Sequence, residues 1–410
     1  DKLPYDVQSV TAETVSRSNS LNLTDYMSQN MPGVNVNEVQ GSPFQADITY
    51  RGFRASGILG SSQGLSIYMD GVRVNEPFGD VVNWDMLPEA AFANVTLVPG
   101  SNPIYGLNTL GGALAFTTKS GLTAPGTEIK LSAGSFGRKR ADVSYGAKSE
   151  DGWHRFISTT AFDETGWRDH SQGQLGNVFA KIGKSQGDVN WDLSLLVSRS
   201  KILGNALLPD AGYGTDGSGA PTSHMYQKNF RSVYTYPDQT QNQLNMLTFN
   251  FQRMFGADTE LASTTYLRHS ARKASSGDVE FDSGSTEAIL NYNKTRQTSY
   301  GTSLNLTKLH GAHQITTSAV MRSCGVPITQ CAPARDPVRA TCKVGDVIVL
   351  RGVNFAFDKA TLMIDAKVLL DGVAAALVRH CVHGSVRFWA AQQAGGAQGA
   401  LLSRVMSRVR

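Results

Sequence analysis

Apolar and polar residues alternate with a period of two over most of residues 127–321. Between residues 189 and 198 the odd positions are apolar and the even positions are mostly polar, and residues 140–145 follow the same rule. This period is typical of β-strands that bury one face. It predicts nine antiparallel strands, which begin near residues 127, 138, 153, 176, 189, 241, 258, 297 and 313.

The first 121 residues have a different pattern, which predicts a small α+β unit. The predicted elements are a helix over 11–17 capped by Thr11, a helix over 21–30, strands over 34–39 and 48–53, and a hairpin over 65–74. The second helix is expected to stop at Pro32 and Gly33, because proline and glycine end helices. Asp70 and Gly71 suit the type I′ turn of the hairpin.

Residues 95–121 contain two short alternating runs separated by a segment rich in glycine and asparagine. The runs predict two strands, and the segment between them predicts a tightly folded connection. We interpret five glycines as backbone requirements of turns rather than as ligand contacts: Gly52, Gly71, Gly106, Gly111 and Gly112.

These segments resemble the plug domain of TonB-dependent outer-membrane receptors. The resemblance rests on the series Pro99-Gly100, Tyr105-Gly106, Gly111-Gly112 and Thr118-Lys119-x-Gly121. It also rests on the segments Tyr50-Arg51-Gly52-Phe53, Tyr68-Met69-Asp70-Gly71-Val72-Arg73 and Met86-Leu87-Pro88. The family usually has arginine and glycine before the proline, where this chain has Val98. The resemblance implies a plug over 1–121 followed by a partial transmembrane β-barrel over 122–322.

Connections between the predicted strands alternate in length. Short ones fall at 148–152, 184–188, 255–258 and 310–312, and longer ones fall at 163–175, 201–240 and 271–295. Outer-membrane barrels have this asymmetry, with the long loops outside the cell, whereas a soluble β-sandwich, the alternative fold, does not require it. Trp153, Trp167 and Trp191 lie near strand ends, where either an interface belt or packing against loops explains them.

The resemblance implies uptake by binding rather than catalysis. The substrate expected from it is a ferric siderophore, and the implied partner is the energy-coupling protein TonB, although no TonB box is recognisable before Leu3. By position in the family motif, Arg51, Asn75, Glu76 and Trp84 are expected at the ligand-facing apex of the plug. Arg51 has two interpretations: it binds an anionic chelate, or it forms a buried salt bridge to the barrel wall.

Composition and sequence motifs narrow the classes of function that remain. The chain has 410 residues, 18% of them charged, and a net charge of +4 without a basic tract, so nucleic-acid binding is not expected. No catalytic motif occurs, and His380, Cys381 and His383 lack a companion cluster, so neither an enzyme nor a metal site is predicted. The resemblance implies the outer membrane of a Gram-negative bacterium as the location, with lipid around the barrel.

The four cysteines all follow residue 323, which indicates a change of unit. Cys331 and Cys342 suit a small disulfide loop in an oxidising compartment; pairing of Cys324 with Cys331 and unpaired thiols are the alternatives. Residues 347–357 predict a strand and 359–380 an amphipathic helix, and the segment VLRGVNFAFDKATL resembles the start of an OmpA-like domain. The Asp of that family is expected in a turn near 388–391 and its Arg near Met406, and both are missing here. We therefore interpret residues 323–410 as a degenerate α/β segment and do not expect it to bind peptidoglycan.

Nine strands are fewer than the roughly twenty-two of the family, and open sheet edges in lipid are costly. We therefore interpret the chain as a truncated or fused receptor, and an inactive one is compatible with this strand count. One alternative is an envelope-anchoring protein of the OmpA-like, peptidoglycan-associated class. Another is a soluble periplasmic plug fragment with a misfolding β tail.

Overall fold

The structure is a computed structural model. It describes residues 7–334, except 19, 21, 39–40, 59, 101–107, 205–206, 209–228, 283–284, 311–312 and 326–327, and also residues 388–390 and 403–405. Side chains are described from residue 7 to residue 278, with the same gaps, and from 289 to 309. Among the described residues, no helix is both long and apolar enough to cross a bilayer.

The described residues between 7 and 118 form a plug built from two small sheets and two short helices. The helices are α1 (Ala12–Arg17) and α2 (Leu23–Asn30); the strands are β1 (Gln8–Thr11), β2 (Val34–Asn37), β3 (Asp47–Tyr50), β4 (Phe53–Ser56), β5 (Leu65–Met69), β6 (Val72–Arg73), β7 (Phe92–Pro99) and β8 (Gly112–Thr118). The larger sheet has the strand order β1-β7-β8-β5-β6, and the smaller sheet has the order β2-β3-β4. In the larger sheet β1 is an edge strand that pairs four residues with β7.

Local chemistry explains why these elements begin and end where they do. The Thr11 side chain caps α1, as predicted, and Asn22 caps α2 by accepting a hydrogen bond from the backbone N–H of Asp25 at 2.8 Å. The hairpin of β5 and β6 turns at Asp70 and Gly71, whose φ angles are 45° and 82°. These positive angles confirm the predicted primed turn.

The single strand predicted over residues 48–53 is wrong. Residues 47–56 instead form a hairpin in which Tyr50 pairs with Phe53. Arg51 and Gly52 make the turn, with φ angles of 49° and 86°. The error has a clear reason: arginine is an unusual residue at positive φ, so the Arg51-Gly52 pair does not signal a turn as Asp70-Gly71 does.

Gly112 begins β8 at a φ of 141°, and a Cβ atom there would lie 2.4 Å from the carbonyl oxygen of Val98 on the paired strand. We predict that Gly112→Ala lowers the free energy of unfolding by about 2–4 kcal/mol. The methyl group is strained at this positive φ and also clashes with the paired strand. Gly100→Ala is the matched control, since its φ of 87° carries strain but the space around it is open. Urea denaturation of the two variants checks this; equal losses would contradict it.

A second, larger sheet follows the plug. Its strands are β9 (Gly126–Ala133), β10 (Lys139–Lys148), β11 (Trp153–Glu164), β12 (Gly173–Gln186), β13 (Val189–Leu203), β14 (Gln239–Phe255), β15 (Thr259–Asp282), β16 (Ser285–His310), β17 (His313–Gly325) and β18 (Ile328–Ala334). Neighbours along β9 to β17 pair antiparallel in sequence order, and β18 pairs with β16. The nine predicted strands are confirmed, and β18 is an additional one.

Alternation along the large sheet separates two faces. In β11, residues at even positions from His154 to Glu164 are buried and those at odd positions are exposed. The buried face carries many hydroxyl, amide and charged side chains and is called here the inner face; the other carries exposed Ile, Leu, Val, Phe and Tyr and is called the outer face. An apolar exposed face beside a polar covered one is the arrangement of barrels in lipid.

Three further predictions need correction. Most of residues 271–295, predicted as a long loop, belong to β15 and β16, which continue their pairing to Asp282 and Ser285. The sheet also continues through β17 and β18 to Ala334, beyond the boundary predicted at residue 322. The turn expected near 388–391 is wrong as well, because Phe388–Ala390 is a strand paired with Ser403–Val405, as suits aromatic residues. The predicted strand over 347–357, the helix over 359–380 and Cys342 lie outside the described residues.

Candidate functional site between the plug and the inner face

The plug rests on the inner face of the large sheet and shares a core with it. Apolar residues of four strands join the buried cluster of the plug: Phe156, Phe179, Leu196, Leu244 and Met246. The remaining contacts are largely polar and fall into three clusters, around Glu76, Asp85 and Asp70. Because apolar packing is continuous across this boundary, the polar clusters are excluded from bulk water and every charge in them needs a partner.

The first cluster surrounds Glu76, which follows the β5–β6 hairpin. Arg268 of β15 donates a hydrogen bond from Nη2 to Glu76 Oε1 at 2.6 Å, and Ser270 donates to Oε2 at 2.8 Å. Arg268 also donates from Nη1 to the carbonyl oxygen of Asn75 at 3.1 Å. Both charged side chains are only 4% exposed. The pair therefore fixes the plug segment after the hairpin to the wall.

The second cluster surrounds Asp85, in a short 3₁₀ turn of the plug (Trp84–Met86). Asn242 of β14 donates from Nδ2 to its carboxylate at 2.9 Å, and the Ser200 hydroxyl of β13 donates to Oδ2. Burial raises the pKa of Asp85, and these two hydrogen bonds together with Arg272 act in the opposite direction. The carboxyl group has two neutral donors and no ion pair within 4 Å among the described residues.

The third cluster surrounds Asp70 at the tip of the β5–β6 hairpin. Its Oδ1 accepts the backbone N–H of Thr118 at 2.9 Å, and its Oδ2 accepts Lys181 Nζ of β12 at 3.0 Å. Lys181 is shared with Asp192 at 3.8 Å. Asp70 thus joins three things: a hairpin turn, the end of β8 and the wall. It lies toward the short-turn end of the sheet, where Asp192 follows the turn between β12 and β13.

Aromatic rings also meet at the opposite end, where the longer connections lie. The Phe44 ring of the plug meets Phe162 of β11 at a centroid distance of 4.5 Å. The connection after β11 lies against the connection before β14, because the Trp167 and Phe230 rings stack at 6.1 Å and Asp169 donates its N–H to the carbonyl oxygen of Arg231 at 2.8 Å. These described loop residues form an aromatic rim that is partly exposed.

The predicted apex residues occupy two kinds of position. Asn75, Glu76 and Trp84 are buried and bonded within the protein: the Asn75 side chain bonds Ile67 N–H and Leu65 C=O, and Trp84 Nε1 donates to the Ala55 carbonyl at 3.1 Å. All three side chains thus have hydrogen-bond partners inside the protein, and their role toward a ligand stays a prediction. Arg51 is exposed, with its guanidinium 5.1 Å from the Tyr50 ring centroid.

Arg51 does not form the salt bridge to the wall that was the alternative interpretation, since no ion pair of the described residues includes it. Of the five predicted turn glycines, Gly52, Gly71 and Gly112 have positive φ angles. Gly111 has another reason, because a Cβ atom there would lie 2.4 Å from Phe53 Cβ. Gly106 lies outside the described residues.

The residues that hold the plug to the wall were missed in the sequence. Asp70 was interpreted only as a turn residue, and Arg268, Lys181 and Asn242 were not singled out. A signal was present, because all three lie at the inward positions of predicted strands, where a charged or amide side chain needs a buried partner. Their partners on the plug could not be identified, since pairings across 111 to 193 residues depend on how the plug is seated. Within the described residues, no group of three or more potential metal ligands occurs.

Comparison with known proteins finds a family match in the plug part of the chain. Residues 1–113 match the family model described as TonB-dependent Receptor Plug Domain. The vitamin B12 transporter of Vibrio vulnificus is 24% identical over 189 residues, which are 44% of this chain and 29% of that protein.

Solved structures share the fold at low sequence identity. The open form of the ferric-catecholate import receptor Fiu from E. coli K12 aligns with a TM-score of 0.64 and 17% identity, over 80% of this chain and 50% of that one. The siderophore receptor PiuA from Acinetobacter baumannii aligns with a TM-score of 0.62 and 13% identity, over 83% of this chain and 48% of that one. The chain spans about half the length of these structures and less than a third of the curated relative.

Proposed function

We propose that this chain acts in TonB-dependent uptake across a bacterial outer membrane. The proposal starts from the match of residues 1–113 to the plug domain of TonB-dependent receptors. It also starts from the strands after the plug, which have the fold of part of such a receptor's barrel. TonB-dependent receptors are outer-membrane proteins of Gram-negative bacteria and are not enzymes. The observation that carries the proposal is a plug held by buried polar contacts against the inner face of a sheet whose outer face is apolar.

We propose a ferric siderophore as the substrate. The similar solved structures include a ferric-catecholate import receptor and a siderophore receptor, which supports this class, while the curated relative is a vitamin B12 transporter. The partly exposed aromatic rim at the long-loop end offers flat apolar surfaces to the aromatic rings of a catecholate siderophore. Cyanocobalamin is therefore the comparison ligand for any binding measurement.

TonB is the proposed partner, acting on the chain ahead of β1. Because β1 lies at the edge of the plug sheet and pairs with β7 over only four residues, tension applied to the preceding segment reaches those pairs first. Detachment of β1 would leave the β7–β8 pairing in place. A small part of the plug can thus respond before its core does.

Arg51 remains the proposed ligand contact of the plug. We predict that Arg51→Gln weakens binding of a ferric siderophore about tenfold, the effect of losing one charge-assisted hydrogen bond. Glutamine keeps an unbranched polar side chain at this positive φ and removes the charge. Arg17→Gln is the control, since Arg17 is exposed and pairs with Glu13 in α1. Quenching of intrinsic fluorescence by the ferric chelate measures both, and unchanged affinity in Arg51→Gln would remove this residue from the site.

The test of the proposed function uses the full chain with a signal peptide in a Gram-negative host. Insertion predicts recovery in the outer-membrane fraction and a band whose mobility shifts on boiling. A panel of ferric siderophores and cyanocobalamin then identifies the ligand class by quenching. Recovery in the soluble periplasmic fraction would contradict the proposal and support the alternative of a soluble plug fragment, and cobalamin binding without siderophore binding would change the substrate.

A further inference from the structure

The outer face of the sheet contains a recess near its short-turn end. It has a volume of about 490 Å³, within the roughly 300–1,000 Å³ typical of small-molecule sites. Six of its lining residues are exposed on the outer face and belong to strands β10 to β14: Tyr145, Ile157, Ile182, Leu193, Leu195 and Leu247. The recess therefore opens away from the plug and has an apolar wall.

Two cations border this recess. Arg155 lines it and pairs across the strands with Ile182, with its guanidinium 6.0 Å from the Tyr145 ring centroid. Lys184 lies one row closer to the short turns, with Nζ 5.5 Å from the Trp153 ring centroid. The register places Lys184 between Trp153 and Trp191, which meet edge to face at 5.5 Å. Both cations thus lie beside aromatic rings on the outer face.

Neither cation has a carboxylate partner within ion-pair distance in the part of the chain that the structure describes. The nearest acidic residues along the chain are Glu150 and Asp151 in one short turn and Asp188 in the next, all exposed to solvent. A cation on an apolar face that meets lipid is unfavourable unless an anion accompanies it. The anion available at that depth is the phosphate of a lipid headgroup.

We propose that this recess is a binding site for an anionic phospholipid. Arg155 and Lys184 bind the phosphate, Trp153 and Trp191 mark the depth of the headgroup, and one acyl chain occupies the recess. Charge complementarity and the position of the cations at the tryptophan level support this occupant. The site rests on the proposed membrane location of the sheet, and it is separate from the plug and its ligand.

The test uses the full chain purified in a neutral detergent, with phosphatidylglycerol as the probe and phosphatidylcholine of the same acyl chains as the comparison. Native mass spectrometry counts the lipid retained. We expect a preference of roughly thirtyfold for phosphatidylglycerol, from two cations at the headgroup. Arg155→Gln combined with Lys184→Gln should abolish the preference. The control combines Arg199→Gln with Lys201→Gln, exposed cations of β13 on the same face but toward the long-loop end, and should keep it.

A second variant separates the chain site from the headgroup site. Ala180→Phe fills the recess without changing a charge, and we expect it to reduce retention of both lipids. Equal preference in the two double-glutamine variants, or unchanged retention of both lipids in Ala180→Phe, would overturn the proposal. Flotation with liposomes reports insertion separately: a chain that floats without lipid preference contradicts only this site, whereas a chain that does not float contradicts the membrane location as well.

Discussion

Removal of the Arg268 guanidinium is expected to have the largest effect of any substitution at the plug boundary. We predict that Arg268→Met lowers the free energy of unfolding by about 3–5 kcal/mol, because it leaves Glu76 buried without its cation. Two donors, Ser270 and Asn83, remain on the carboxylate and keep the loss within that range. Urea denaturation in detergent measures the change, and trypsin digestion reports whether the plug has separated from the wall.

The same pair offers an internal check. Glu76→Gln in the Arg268→Met background removes the uncompensated charge, so the double variant should recover more than half of the loss. Arg199→Met, on the outer face, is the matched control and should change stability by less than about 0.5 kcal/mol. A double variant no more stable than Arg268→Met would show that packing of the arginine, and not its charge, supports the plug.

Replacement of Asp85 by asparagine is expected to stabilise the protein at neutral pH. Burial raises the pKa of Asp85 in the folded protein, so folding favours its protonated form. Its contribution to stability is complete below the unfolded pKa and is lost as the pH rises through the folded pKa. We predict that the free energy of unfolding of Asp85→Asn is higher than that of the unsubstituted chain by roughly 1–2 kcal/mol at pH 7.5 and equal to it near pH 4.

Hydrogen bonding supports this expectation. Asn242 Nδ2 and the Ser200 hydroxyl donate to Asp85, and the Asn242 Oδ1 atom is buried without a hydrogen-bond partner. An asparagine at position 85 keeps an acceptor for Asn242 Nδ2 and adds an N–H group within reach of that oxygen. Urea denaturation at the two pH values tests the prediction. An Asp85→Asn variant that is less stable at pH 7.5 would mean that the carboxylate is fully compensated.

The strands were predictable because their signal is local. Period-two alternation located all nine predicted strands of the large sheet, and the dipeptide Asp70-Gly71 located a turn. The turn at Arg51-Gly52 was not found, because side-chain type carries little information when an arginine adopts positive φ. Long continuations of β15 and β16 were also missed, since polar, loop-like composition there does not prevent strand pairing.

The site was less predictable than the fold. Family position identified Asn75, Glu76 and Trp84 as special, and the structure gives them hydrogen bonds inside the protein rather than exposure. Which inward side chain meets which plug residue depends on the orientation of one unit against another. Sequence patterns report distances along the chain, and a contact such as Arg268 to Glu76 is determined by three-dimensional placement.

The strict alternation of the two faces has a consequence for how such a chain can change. In β11 and in most of β13, alternate positions have different surroundings, the plug on one side and the exterior on the other. A substitution on one face leaves the side chains of the other face unchanged. A different plug can therefore be accommodated by substitution of His154, Lys181, Arg268 and their neighbours on the inner face, while the residues of the outer face stay unchanged.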